Sequence, residues 1–222
     1  MAPEVIPLRR SRHNIAYRCA VALQLAPPDT ALDLARTIAD GISPFLFAET
    51  GDRHLVVSVS PPGWIDIELT PTGLAIWLHH LRKNPVSLAN CPLKPSPPDP
   101  EALFAIQYAY ARCCALDRLA RRAKVAVPNT PLPPPPPVLP LVGQIVTTLD
   151  VLESNRAIVP QRLSLELATA FETFYRNTPL FGDLKVVNPD TLRGILQVVF
   201  ATRKLLKVLL EEGLGLLARE IL

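Results

Sequence analysis

Gln107-Tyr108-Ala109-Tyr110-Ala111-Arg112-Cys113-Cys114 sits inside a run from Asp99 to Lys124 that carries the marks of a long helix. Asp99 can cap the orphan amides, Pro100 suits a first turn, and Glu101 favours the positive end of the helix dipole. Leu103, Ile106, Tyr110 and the pair Cys113/Cys114 fall on one helical face, which predicts the core side. Tyr108 and Arg112 stand one turn apart on the opposite face, free to meet a partner. Arg118, Arg121, Arg122 and Lys124 bring cations to the C-terminal end, where the dipole favours them.

Toward the C-terminus, Asn129 to Pro140 contains five consecutive prolines, Pro133 to Pro137, and must be extended. An apolar helix resumes at once, so the run reads as a stiff connection between helices rather than as a ligand for an aromatic groove. Leu139 to Glu153 forms the next helix. Pro160 opens another, with Leu163, Leu167, Ala170, Phe171 and Phe174 at core spacing, and Phe181-Gly182 ends it. Asn188 to Asp190 opens the last helical stretch, which carries a basic cluster of Arg203, Lys204 and Lys207.

Toward the N-terminus, Asn84 to Pro98 is rich in proline and reads as a linker. Before it, Thr70-Pro71 opens a helix through Leu74, Trp77, Leu78 and Leu81. Leu55 to Ser60 reads as a strand, Pro61-Pro62-Gly63 as a turn, and Trp64 to Leu69 alternates. Ile65, Ile67 and Leu69 point inward, while Trp64, Asp66 and Glu68 point away. Asp29 or Thr30 caps a helix with Leu32, Ala35, Ile38 and Ala39 inside and Gly41 at its stop. Asn14 to Ala26 is helical in composition and halts at Pro27-Pro28.

The 222 residues suffice for one or two domains, and 49% hydrophobic with 19% charged residues suits a folded chain. A net charge of +3 gives no bulk electrostatic drive toward nucleic acid, so any such binding must rest on a local patch. Cys19, Cys91, Cys113 and Cys114 lack metal-ligand spacing, and with no leader visible they are expected to be reduced thiols in the cytoplasm. No apolar run reaches the length of a membrane span. No P-loop, dinucleotide-binding glycine motif or nucleophile elbow occurs, and the histidines at 13, 54, 79 and 80 are expected on the surface without a metal. No cofactor is expected.

The stretch QYAYARCCALDRLA resembles the first helix of the anticodon-binding domain of arginyl-tRNA synthetases, with Tyr110 where that family usually has histidine. AYRCAVALQLA from Ala16 and Pro62-Gly63-Trp64-Ile65-Asp66-Ile67 resemble segments of the family's N-terminal additional domain, with Asp66 in place of an amide. LELATAFETFY, with Glu172 in place of histidine, and VVFATRKLLKVLLEEGLGLL resemble later helices of the anticodon-binding domain.

The resemblance implies an α+β N-terminal domain, helices on a small antiparallel sheet, over 1–85. A proline-rich linker would cover 86–98, and an all-α helical bundle of the DALR anticodon-binding type would cover 99–222. The nucleotide-binding domain that would join the two blocks is missing from between them, and neither a HIGH-type nor a KMSKS-type segment occurs. The expectation is therefore a non-catalytic paralogue. Its function would be tRNA binding, the arginine-accepting tRNA in this family, through Tyr108, Arg112, Arg203, Lys204 and Lys207 at the anticodon end and Trp64 at the elbow. The alternative is a structural or regulatory subunit of a protein complex that has reassigned this surface.

Overall fold

A computed structural model describes residues 8–10, 15–48, 54–125, 129–154, 156–178 and 189–221, with 43–48 described by their backbone alone. His13, Phe181-Gly182 and Asn188 lie outside the described residues. The chain divides into two compact units, Met1–Leu74 and Ala75–Leu222. The first is mixed α and β around a four-stranded antiparallel sheet, and the second is mostly helical.

In the first unit the sheet order is β1-β2-β4-β3, with β1 at Leu8–Arg10, β2 at Ala16–Cys19, β3 at Leu55–Ser60 and β4 at Trp64–Leu69. β3 and β4 form the hairpin expected from their alternation, in register from Leu55 opposite Leu69 to Ser60 opposite Trp64. The turn needs its glycine. Gly63 has φ +151, and a Cβ there would lie 2.9 Å from the carbonyl oxygen of Ala31. Cys19, Ile65, Ile67, Val57 and Val59 form the inner face and pack against Ala22, Ala35 and Ala39 of α1 (Val21–Leu25) and α2 (Ala31–Ala48). Small alanines on the helices let them approach a sheet face made of branched side chains.

Two expectations are corrected here. The run expected to be helical from Asn14, itself outside the described residues, to Ala26 is not one helix over 15–26. Ala16–Cys19 forms β2, paired through Arg18 with Asp66 of β4, and only Val21–Leu25 is helical. Pairing with a strand some fifty residues away overrides the local helical composition. Gly41 does not stop α2, which runs on to Ala48. Nothing surrounds a Cβ built at Gly41, so the glycine costs helix propensity without demanding a turn.

Helix α3, Pro71–Lys83, begins as expected: the amide of Gly73 donates to Thr70 Oγ1 at 3.0 Å. α4 spans Pro100–Arg122, and Asp99 Oδ1 accepts from the amides of Glu101 and Ala102 at 3.0 and 3.3 Å. α5 (Leu139–Glu153), α6 (Pro160–Asn177) and α7 (Pro189–Val208) complete the second unit, and α7 ends in one π-helical turn, Leu209–Gly213. α4 packs on α6 and α7, and α5 packs on α6. Ile106, Ile145, Leu167, Phe171, Leu196 and Leu205 supply much of the buried apolar volume.

The proline segments are fastened to this second unit. Pro134 is buried, and a Cβ at Gly194 of α7 would lie 2.9 Å from the carbonyl oxygen of Pro133, so the polyproline run lies directly on that helix. The expected linker 86–98 is held at two points. Ser87 Oγ and the amide of Leu88 donate to Glu212 at 2.8 and 2.7 Å, and Pro92, Leu93 and Lys94 bridge to Ile158. No helix is long and apolar enough to cross a membrane among the described residues.

Candidate nucleic-acid interface

Helix α4 presents its faces as the spacing predicts. Ile106, Tyr110, Cys113 and Cys114 are buried, and Leu103 is half-buried. Burial raises the pKa of Cys113 well above its ordinary value, and it raises those of Cys114 and Tyr110 as well. These groups stay neutral and belong to the core.

Tyr108 and Arg112 are neighbours, but Arg112 is not free. Its guanidinium lies 4.4 Å from the centroid of the Tyr108 ring and 4.4 Å from that of Tyr175 on α6. It donates to the Tyr108 hydroxyl and to Glu172 Oε2, the latter at 2.9 Å. The side chains of Arg112 and Glu172 are 26% and 20% exposed, so the pair is half sheltered from water. Glu172 keeps one oxygen, Oε1, buried and without a hydrogen-bond partner. A phosphate would have to displace this carboxylate to reach Arg112.

The basic cluster on α7 is also engaged. Arg203 donates to Asp117 Oδ2 at 2.6 Å and lies 5.7 Å over the Phe200 ring. Asp117 is 7% exposed and also receives Arg121. Burial works against the Arg203 charge, but Asp117 outweighs it and the pKa rises. Lys204 donates to the carbonyls of Leu81 and Arg82 in the last turn of α3 and of Asn84 just beyond it, where the helix dipole favours a cation. Lys207 is exposed and 4.0 Å from Glu211.

On the first unit, Trp64 is half-buried on the outer face of the sheet with Arg18 5.6 Å over its ring. Asp66 grips Arg18 through two hydrogen bonds, at 2.6 and 3.0 Å, and also accepts from Ser60 Oγ. Hydrogen bonding to Asp66 raises the Arg18 pKa. The nominated residues thus fall on separate units, with Trp64 on the first and the other five on the second.

Sequence reasoning did not find Tyr175, Asp117 or Phe104. Phe104 is 63% exposed and stacks on Tyr108, itself 37% exposed, with ring centroids 5.9 Å apart and planes 15° from parallel. The spacing of four along α4 was the available signal. His79, expected on the surface, is buried, and burial lowers its pKa. Among the described residues no group of three or more His, Cys, Asp or Glu could hold a metal ion. No protein-family model, curated protein or solved structure matches the chain.

Proposed function

We propose that this chain is a non-catalytic relative of arginyl-tRNA synthetases, with a DALR-type second unit, in which the surface used for tRNA in that family serves a protein partner. The observation that carries this reading is the commitment of three of the four nominated cations, Lys207 alone standing exposed. Arg112 is closed by Glu172 and two tyrosine rings, Arg203 by Asp117, and Lys204 by the end of α3. Cations bind nucleic acid by releasing counterions from phosphates, and a cation already neutralised by a carboxylate has little left to contribute. The missing nucleotide-binding domain and the missing HIGH-type and KMSKS-type segments support a non-ligase, because ATP and arginine lack the fold that binds them in the family.

The tRNA reading is the second one, and the exposed Phe104–Tyr108 stack favours it, because such a ring pair can receive a base. One titration separates the two. Fluorescence anisotropy with bulk tRNA, across salt from about 20 to 200 mM, is expected to give only weak non-specific binding, about 10⁻⁴–10⁻⁶ M at physiological salt. Replacing Arg112 by methionine should leave the salt slope unchanged. Submicromolar binding whose slope drops by about one unit in Arg112→Met would overturn the protein-partner reading.

A further inference from the structure

The outward ridge of α4 repeats at three and four residues: Glu101, Phe104, Tyr108, Arg112, Ala115, Leu119 and Arg122. Glu101, Ala115 and Arg122 are exposed, Phe104 and Leu119 are 63% and 39% exposed, and the ridge runs most of a helix about 34 Å long. This is the spacing of a helix–helix seam. Glu101 and Arg122 at its two ends have no ion-pair partner among the described residues of their own chain.

The order of residues along the ridge is complementary to itself. Place a two-fold axis across α4 between Ala111 and Arg112, so that two copies of the helix run antiparallel. Glu101 of each copy then faces Arg122 of the other. Phe104 faces Leu119, and the large Tyr108 faces the small Ala115. The like-charged residues brought together at the axis are the two copies of Arg112, and each is already neutralised by Glu172 of its own chain. We infer that the outward ridge of α4 is an isologous dimer interface and that its partner is a second copy of this chain. This rests on the reading of the α4 face as protein-binding. It also gives the Arg112–Glu172 pair a use: without it two guanidiniums would meet at the axis.

The test is the mass of the full chain in solution, by sedimentation equilibrium, for the wild type and four variants. The wild type should have twice the 24.3 kDa chain mass at micromolar concentration. Glu101→Arg and Arg122→Glu should each weaken self-association by about tenfold, since like charges then face each other at both ends. An equimolar mixture of these two variants should recover wild-type affinity, because every end pair is again of opposite charge, and so should the double variant. Phe104→Glu should be monomeric at every concentration tested, with unchanged helical circular dichroism. A wild type that stays monomeric at about 100 µM and ignores tRNA overturns the dimer and leaves the protein-partner reading standing. A monomer that binds tRNA through Phe104 overturns both. A dimer indifferent to all four variants places the interface elsewhere and overturns this one.

Discussion

The sheet of the first unit and the helices of the second build the same device: an arginine laid over an aromatic ring and closed by a carboxylate. On the sheet it is Arg18, Trp64 and Asp66; on the helices it is Arg112, Tyr108 and Glu172, and again Arg203, Phe200 and Asp117. They differ in shelter. The arginine side chain is 46% exposed in Arg18, 26% in Arg112 and 33% in Arg203, while the carboxylates Asp66 and Glu172 are alike at 19% and 20% and Asp117 is the most sheltered at 10%. A pair in water contributes little because solvation of the separated ions competes, whereas a sheltered acceptor removed from its arginine leaves a charge unpaired. The same three residue types therefore decorate a surface in one unit and hold helices together in the other.

Asp117 should break the comparison most visibly. Asp117→Asn removes the negative charge shared by Arg203 and Arg121 and leaves Arg203, only one-third exposed, without its charge partner. Urea unfolding of the second unit should show a loss of about 2–3 kcal/mol, below the full penalty for a deeply buried pair because water still reaches Arg203. A loss under about 0.5 kcal/mol would place this pair with surface ones.

Alkaline pH sharpens the contrast between the units. Cys113, Cys114 and Tyr110 all lie in the second unit with folded pKa values raised by burial. Below the ordinary thiol value of 9.0 both folded and unfolded chains hold these protons, and stability is full. Above it the unfolded chain releases protons that the folded chain keeps. Stability then falls by up to about 1.4 kcal/mol per pH unit for each group. Denaturation midpoints of the second unit should drop between about pH 9 and 10.5, and Cys113→Ala should flatten the fall. A midpoint constant over that range would show that these side chains reach water.

What was legible in the sequence was local. Asp99-Pro100-Glu101 starts α4, Thr70-Pro71 starts α3, and the alternation at 64–69 gives β4, because caps and period-two patterns act within a few residues. β2 was hidden because its reason is Asp66, far along the chain. The site was legible in its residue types and not in their partners. Tyr108 and Arg112 are adjacent on one ridge, but Glu172 reaches Arg112 from sixty residues away, and Asp117 reaches Arg203 from eighty-six. Glu172 and Asp66 stood out as acids where the resembled family has neutral or basic residues; that both close on an arginine is a fact of packing.

A pair of double-mutant cycles, read by chemical denaturation, tests the internal commitment of Arg112 most directly. One cycle uses Arg112→Met and Glu172→Gln, the other Arg18→Met and Asp66→Asn. The half-sheltered pair on α4 and α6 should show a coupling of about 1–2 kcal/mol, and the pair on the sheet, whose arginine is exposed, a clearly smaller one. A coupling indistinguishable from zero between Arg112 and Glu172 would contradict this, because Arg112 would then be free to meet a phosphate.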